Sequence, residues 1–200
     1  MIDYNTGKDK QRYEFLDGKI VMMASPNVPH SFIVKNIGMM FSNYLKGKKC
    51  IPFFDGTDVI FKEKKDVVIP DFFIVCNKDI IRYSGVFGAP DLIVEVLSLR
   101  TRKNDRGYKK NLYEKYGVKE YWIVNPDDYT IEVYLLKDDA KYELDNVYPK
   151  YSDQDLECFD EKEISEIVTE FKTSLYDDFL IQVDDVFYDP LKDWFYLWTI

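Results

Sequence analysis

Histidine is nearly absent from this 200-residue chain, in which His30 is the single example. Zinc hydrolases that bind their metal through several imidazoles are therefore excluded, as are nucleases that need one histidine as base and another as metal ligand. A Ser-His-Asp triad would have to use His30, and the G-x-S-x-G motif is missing. We therefore expect any hydrolytic chemistry to use carboxylates, a lysine and a hard metal ion.

Cysteines and long apolar runs are also scarce. The three cysteines, Cys50, Cys76 and Cys158, are widely separated and form no C-x-x-C pair, which indicates neither a zinc ribbon nor a disulfide framework. No apolar run is long enough to cross a bilayer, and the first residues do not have the pattern of a signal peptide. We therefore expect no membrane partner and a cytoplasmic location, where cysteines stay reduced.

The net charge of −9 argues at first against a nucleic-acid partner. The charge is uneven, because residues 151–200 hold 14 acids and 3 bases, whereas residues 1–150 hold 22 acids and 24 bases. We predict one domain over residues 1–150 and an acidic C-terminal extension over residues 151–200 that packs on the same domain. The apolar ending, residues 194–198, is expected to pack on the core rather than to form a partner surface.

The densest basic stretch lies between residues 100 and 110, with Asp105 as its only acid. Its cations are Arg100, Arg102, Lys103, Arg106, Lys109 and Lys110. Charge alone leaves two interpretations open, a solvated helix face and a surface that contacts phosphate groups.

The hydrophobic pattern predicts a mixed sheet with helices. Helices are predicted over residues 30–45, from a cap at Ser98 or Thr101 to Gly117, and through Ile164 and Phe171. Strands are predicted over residues 13–16, 19–24, 51–54, 58–61, 67–75, 92–97, 121–124 and 130–136. This order of elements is typical of an α/β or α+β fold.

Two acids lie inside strongly apolar segments, Asp71 in residues 67–75 and Glu95 in residues 92–97. A buried carboxylate is unfavourable unless a proton, a basic partner or a metal ion compensates it. If the two strands pair antiparallel, facing residues lie about 5 Å apart, and two carboxylates there could bind one Mg²⁺ or Mn²⁺. Asp91 competes with Asp71, but it lies about 13 Å along the strand from Glu95. The alternative is that Glu95 reaches water at a strand end and Asp71 lies in a turn.

The second predicted helix carries Asp105, Lys109 and Tyr113 at intervals of four residues, which places them on one face. Lys109 could face the end of the Glu95 strand and stabilise a developing anion near a metal-bound water. Spacing alone favours the simpler interpretation, an exposed Asp–Lys pair.

Six short segments between about residues 10 and 140 form an ordered set. They are YEFLDG at 13–18, Ser25-Pro26 with His30, IPD at 69–71, PDLIVEVLS at 90–98, Asp105-x-x-x-Lys109-x-x-x-Tyr113 and GVKEYWIV at 117–124. Taken in this order, the segments resemble the Uma family of putative restriction endonucleases, a branch of the PD-(D/E)XK nuclease superfamily.

The resemblance implies a restriction-endonuclease-like core in which Asp71 and Glu95 are metal ligands. The superfamily pattern places a lysine two residues after the glutamate, where this chain has Leu97, whereas the Uma pattern places it on the following helix, which matches Lys109. Glu14 matches the early glutamate of the family and is a further candidate catalytic residue. His30 either lies near this site or is only a helix-terminal polar residue.

The implied activity is hydrolysis of DNA phosphodiester bonds with Mg²⁺ or Mn²⁺. The resemblance favours the phosphate interpretation of the basic stretch, so that Arg100, Arg102, Lys103, Arg106 and Lys110 would bind the DNA backbone. Cutting both strands would favour a homodimer. The alternative is a non-catalytic or regulatory protein that binds nucleic acid or a protein partner. The acidic extension could repel DNA, mask the basic stretch or face another subunit.

Overall fold

The computed structural model describes residues 12–23, 25–54 and 56–191. The strands are β1 (Tyr13–Leu16), β2 (Lys19–Met22), β3 (Ile51–Phe54), β4 (Val59–Lys62), β5 (Asp66–Val68), β6 (Phe72–Val75), β7 (Ile81–Arg82), β8 (Gly85–Phe87), β9 (Leu92–Val96), β10 (Glu120–Asn125), β11 (Thr130–Leu136), β12 (Tyr142–Pro149), β13 (Glu170–Lys172) and β14 (Leu180–Gln182). The α-helices are α1 (Val28–Leu45), α2 (Arg102–Asn104), α3 (Lys110–Tyr116), α4 (Asp153–Leu156), α5 (Glu161–Glu166) and α6 (Val183–Val186). A π-helical turn (Asp105–Lys109) joins α2 to α3, and a 3₁₀ turn (Lys78–Ile80) precedes β7.

The central sheet has six strands in the order β12-β11-β10-β9-β6-β3. Strands β9 and β10 run parallel, and the other neighbours run antiparallel. Helices pack against this mixed sheet, which confirms the predicted α/β (α+β) fold class. Among the described residues, no helix is both long and apolar enough to cross a membrane.

The two faces of the central sheet are buried by different partners. On one face, Leu92 and Val94 of β9 belong to the hydrophobic cluster that contains Ile37 and Phe41 of α1. On the other face, Ile93 packs in a second cluster with Leu112 of α3. Because side chains alternate along a strand, Glu95 shares the face of Ile93 and points towards the helix that contains α3.

A second six-stranded sheet, in the order β2-β1-β5-β4-β8-β7, lies beside this second cluster. The prediction of one strand over residues 67–75 is wrong, because β5 belongs to the second sheet and β6 to the central sheet. Pro70 stands between them and has no N–H to donate to a strand ladder. The chain therefore crosses from one sheet to the other at Ile69-Pro70-Asp71.

A disulfide bond joins Cys50 to Cys76. Cys50 directly precedes Ile51 and Cys76 directly follows Val75. Ile51 and Val75 pair with each other, so the bond lies at the end of the edge strand β3 and its neighbour β6. The cysteine pattern, which indicates no disulfide framework, therefore fails to predict this bond. Sequence spacing could not indicate it, because the antiparallel pairing of β3 and β6 brings the two thiols together. Cys158 is free and exposed.

The chain after residue 150 contributes to the hydrophobic cluster that contains Ile37 and Phe41. Phe171 stacks on Tyr148 with 4.2 Å between ring centroids and lies edge-on to Trp122 at 5.1 Å. The predicted helix through Ile164 and Phe171 is only partly present, since α5 ends at Glu166 and Phe171 lies in β13. The apolar ending at 194–198 lies outside the described residues, and the boundary at residue 150 stays a prediction.

Candidate active site

Glu95 lies on β9 in the interior of the central sheet, with 3% of its surface exposed. Its Oε1 accepts a hydrogen bond from the Tyr113 hydroxyl at 2.6 Å and lies 3.1 Å from the Lys109 ammonium. The carboxyl group is therefore buried. Tyr113 of α3 supplies its hydrogen bond, and Lys109 of the π turn supplies a compensating positive charge. The alternative of a carboxylate that reaches water at the strand end is wrong.

Asp71 precedes β6, directly after the crossing between the sheets. Strand β6 pairs antiparallel with β9 through Phe72 and Val94, so the next position outward places Asp71 opposite Glu95. Its Oδ2 accepts a hydrogen bond from the Val96 N–H at 2.8 Å. Asp71 is thus held against the strand that carries Glu95, as the sequence predicts.

Glu14 lies on β1 of the second sheet, and its side chain also contacts Lys109. It is 4% exposed. Its Oε1 accepts a hydrogen bond from the Ile69 N–H at 3.0 Å and lies 2.8 Å from the Lys109 ammonium. The second sheet therefore supplies a third carboxylate to the residues brought together by the central sheet.

Lys109 lies at the end of the π turn and is buried among carboxylates. Its ammonium contacts Glu14 at 2.8 Å, Glu95 at 3.1 Å and Asp105 at 3.5 Å. The interpretation of Asp105 and Lys109 as an exposed surface pair is therefore wrong. The structure brings the predicted residues Glu14, Glu95 and Lys109 into direct contact.

Asp105 is the residue of this site that the sequence prediction did not include. It is 1% exposed and begins the π turn, and its backbone carbonyl accepts a hydrogen bond from the buried Tyr121 hydroxyl at 3.1 Å. π-Helical turns inside α-helices occur frequently at functional sites. The spacing of Asp105, Lys109 and Tyr113 was the signal that could have identified Asp105.

Glu14, Asp71, Glu95 and Asp105, with Lys109 among them, are called the carboxylate cluster below. Burial raises the pKa of Glu95 well above its ordinary value and raises that of Asp105, although the Lys109 charge opposes both shifts. Burial would lower the pKa of Lys109, but its three carboxylate neighbours raise it well above the ordinary value. Lys109 is therefore a charged ammonium, and it contacts three of the four acidic side chains of the cluster. The cluster favours additional positive charge.

His30 lies beside this cluster at the start of α1. Its Nε2 is 3.2 Å from Asp71 Oδ2, and its backbone N–H donates to the capping side chain of Asn27. Burial alone would lower the pKa of His30, but the hydrogen bond and charge of Asp71 raise it. His30 is thus both a helix-terminal residue and a neighbour of the site, so the two interpretations of the sequence are compatible.

The oxygens of the cluster are the type of ligand that Mg²⁺ and Mn²⁺ prefer. The described hydrogen bonds and ion pairs of Asp71 use Oδ2 and those of Glu95 use Oε1, so the second oxygen of each carboxylate has no such partner there. Asp105 Oδ1 is buried without a hydrogen bond in the described part of the chain. The donor set therefore suits a hard cation. In the same residue ranges, however, no three His, Cys, Asp or Glu side chains are already arranged to hold one.

Asp91, the competing candidate, lies at the opposite end of β9. One of its oxygens accepts a hydrogen bond from the Cys76 N–H at 2.7 Å, and the other lies 2.7 Å from the Lys119 ammonium. These contacts tie Asp91 to the disulfide end of β6 and not to the carboxylate cluster.

The predicted DNA-contacting cations fall into two groups. Arg102 pairs with Asp127 at 2.6 Å, Arg106 pairs with Glu132, and the Lys110 ammonium lies 3.6 Å from the ring centroid of Tyr134. These partners all belong to β11 or to the turn that precedes it. The remaining cations, Arg100 and Lys103, are exposed and have no such partner among the described residues. No described ion pair joins the acidic extension to residues 100–110.

Known proteins resemble this chain in sequence and in fold. The chain is 26% identical over 136 residues to the uncharacterized protein slr1290 of Synechocystis sp., which covers 68% of this chain and 72% of the relative. A crystal structure of a putative nuclease belonging to DUF820 from Anabaena variabilis matches with a TM-score of 0.66 and 19% identity over 88% of this chain and 89% of that chain, which shows a shared fold. Residues 3–165 match the model of the Uma2 family, which is described as "Putative restriction endonuclease". The resemblance predicted from the motifs is thereby confirmed, and the chain belongs to the Uma2 family.

Proposed function

We propose that this protein is a metal-dependent endodeoxyribonuclease that hydrolyses DNA phosphodiester bonds, with Asp71 and Glu95 as ligands of Mg²⁺ or Mn²⁺. The carrying observation is that Asp71, which precedes β6, is hydrogen-bonded to β9 at Val96, next to Glu95, whose carboxylate contacts the buried ammonium of Lys109. Membership of the Uma2 family, and the fold shared with the Anabaena variabilis protein that is described as a putative nuclease, support the same reaction class.

Each residue of the cluster has a distinct proposed part in this reaction. Asp71 and Glu95 would bind the cation through the carboxylate oxygens that no donor among the described residues uses. When bound, the ion supplies a Lewis acid that polarises the phosphate and lowers the pKa of a bound water. Lys109 would stabilise the attacking nucleophile or the charge that develops on the phosphate. Glu14 holds the ammonium at 2.8 Å and would orient it for that task.

Arg100 and Lys103 are the proposed first contacts with the DNA backbone. They are exposed and follow the strand that carries Glu95 by only a few residues. Arg102, Arg106 and Lys110 already contact Asp127, Glu132 and Tyr134, so each would have to exchange a partner to bind phosphate. Phosphate contacts position a protein on DNA without reading its sequence.

The test combines ion binding with cleavage. Isothermal titration with Mn²⁺ should detect binding to the wild type and little or none to Glu95→Gln or Asp71→Asn, and the same variants should lose Mg²⁺-dependent cleavage of plasmid DNA. Asn and Gln keep a carbonyl oxygen for the existing donors, so the fold should persist. Glu63→Gln is the matched control, because it removes one carboxylate from an exposed turn between β4 and β5. Unchanged cleavage in Glu95→Gln would remove the assignment.

A non-catalytic protein that retains the nuclease fold is the second candidate. The observation in its favour is that the carboxylate cluster surrounds an ammonium and, in the described residues, offers no ready-made metal cage. DNA binding that is insensitive to Mn²⁺, with no cleavage by wild-type protein, would select this function.

The homodimer and the cytoplasmic location stay predictions. A symmetric dimer would present two catalytic centres to the two strands of DNA, and sedimentation equilibrium would test it. The location was predicted from scattered cysteines, and the Cys50–Cys76 disulfide weakens that basis, because disulfides persist mainly in oxidising compartments.

A further inference from the structure

The Lys109 ammonium lies among three of the four carboxylates that a cation would have to approach. It contacts Glu14, Glu95 and Asp105 at 2.8, 3.1 and 3.5 Å, and all four side chains are nearly fully buried. An ammonium and a divalent ion repel each other, and both favour the same carboxylate oxygens. Lys109 therefore occupies the position where the electrostatic attraction between an incoming ion and the carboxylates would be strongest.

Two of these carboxylates keep another donor when the ammonium moves. Glu95 Oε1 still accepts from the Tyr113 hydroxyl at 2.6 Å, and Glu14 Oε1 still accepts from the Ile69 N–H at 3.0 Å. Neither oxygen would become an unsatisfied buried acceptor, which is an unfavourable state. Departure of Lys109 from Glu14 and Glu95 therefore leaves both side chains held in position.

Asp105 can receive the displaced ammonium. Its Oδ1 is buried without a hydrogen bond among the described residues and lies 3.5 Å from Lys109 Nζ, too long for a good hydrogen bond. The two residues are four positions apart on one helical segment, so a change of the lysine rotamer could close this distance. Tyr121 holds the Asp105 backbone in place.

We infer that Lys109 is the resident counter-cation of the metal-free site, and that a divalent ion binds by displacing its ammonium from Glu14 and Glu95 onto Asp105. This inference rests on the proposed metal-binding function. It makes Asp105 a positioning residue, which acts on the ion through Lys109, and it accounts for a cluster that lacks a preformed cage.

The experiment is a double-mutant cycle on Mn²⁺ binding to the full chain, measured by isothermal titration. Asp105→Asn should weaken Mn²⁺ binding about tenfold, a typical effect of losing a residue that orients a metal site. In a Lys109→Met background the same substitution should have almost no effect, because the ammonium that Asp105 receives is gone. If Asp105 were itself a metal ligand, Asp105→Asn would weaken Mn²⁺ binding equally in the wild-type and Lys109→Met backgrounds. That result would overturn the inference.

Thermal unfolding with and without Mn²⁺ supplies a second readout. Lys109→Met should lower the midpoint without metal, because it leaves buried carboxylates unpaired, and Mn²⁺ should raise that midpoint by more degrees than it raises the wild-type midpoint. An equal or smaller rise would overturn the inference.

If Lys109→Met does not fold, two comparisons in otherwise wild-type protein decide the matter. Asp105→Asn should weaken Mn²⁺ binding, whereas Glu63→Gln should not. Binding to Asp105→Asn that matches wild type would overturn the inference and leave the metal function intact. Absence of Mn²⁺ binding to wild-type protein would instead remove the proposed metal function, and the inference with it.

Discussion

Replacement of Phe171 by alanine tests whether the chain beyond residue 150 is part of the folded core. Phe171 is 5% exposed, stacks on Tyr148 and lies edge-on to Trp122. Loss of its burial and the resulting cavity should cost about 3 kcal/mol, and loss of the stacked pair about 1 kcal/mol more. For a chain of this length, a total of about 4 kcal/mol corresponds to a fall of about 8–16 °C in the unfolding midpoint.

The loss of stability is measured by urea unfolding monitored through tryptophan fluorescence, and the thermal unfolding midpoint is measured by calorimetry. Phe54→Ala is the matched control, because Phe54 is 45% exposed on the edge strand β3 and should lose far less stability. A loss below about 1 kcal/mol in Phe171→Ala, well under the usual cost of a buried phenylalanine, would refute the packing argument.

The same packing decides how masking by the acidic extension can be tested. Truncation near Tyr148 would remove Phe171, Ile181 and Val186 from the hydrophobic cluster that also contains residues of α1 and β9. It would therefore destabilise the fold as well as remove the negative charge. Neutralising exposed acids, for example Asp153→Asn with Glu157→Gln, leaves that packing intact. If the extension masks the basic stretch, these substitutions should tighten DNA binding, and unchanged binding would argue against masking.

Three further predictions concern stability. The Cys50–Cys76 disulfide joins residues that are 26 positions apart, and its reduction should lower the unfolding free energy by about 3–4 kcal/mol. Urea unfolding curves with and without dithiothreitol measure this loss, and coincident curves would contradict it. Gly107→Ala should raise the free energy of unfolding by about 0.5–1 kcal/mol, because the added methyl group meets open space and glycine disfavours helices. A lower free energy of unfolding in this variant would show that the π turn requires glycine. Burial raises the pKa of Glu120 above 4.5 despite hydrogen bonds from Ser174 and Trp122. The folded state therefore holds this proton more tightly than the unfolded chain. The stabilisation that results is complete below pH 4.5 and is lost as the pH rises through the folded-state pKa. Urea unfolding of wild type and Glu120→Gln across this range should show their difference in stability falling as the pH rises, and a constant difference would contradict it.

Local patterns were sufficient for most of the architecture. The apolar periods of α1 and β9, the turn at Asp17-Gly18 and the helix end at Gly117 are short-range features, and Gly117 adopts the left-handed conformation typical of a helix C-cap. The pairing of Asp71 with Glu95 could also be predicted, because an isolated acid in a buried strand requires a partner.

Other features depended on contacts between distant segments. Residues 67–75 have one continuous apolar pattern, but β5 and β6 enter different sheets, and only the assembled molecule determines this division. The disulfide arises from the pairing of β3 with β6. Arg102 and Arg106 look like free cations in the sequence, and their acidic partners are supplied by β11 and the turn before it.

The sequence by itself determined α1, most of the strands up to residue 136, the family motifs and the identity of the acids that need compensation, because these follow from patterns within a few residues. The tertiary structure alone decided that Glu14 from one sheet, Glu95 from the other and Asp105 from a π turn meet at the Lys109 ammonium. The physical reason is that burial and charge compensation depend on which distant segments exclude water together, and no local pattern carries that information.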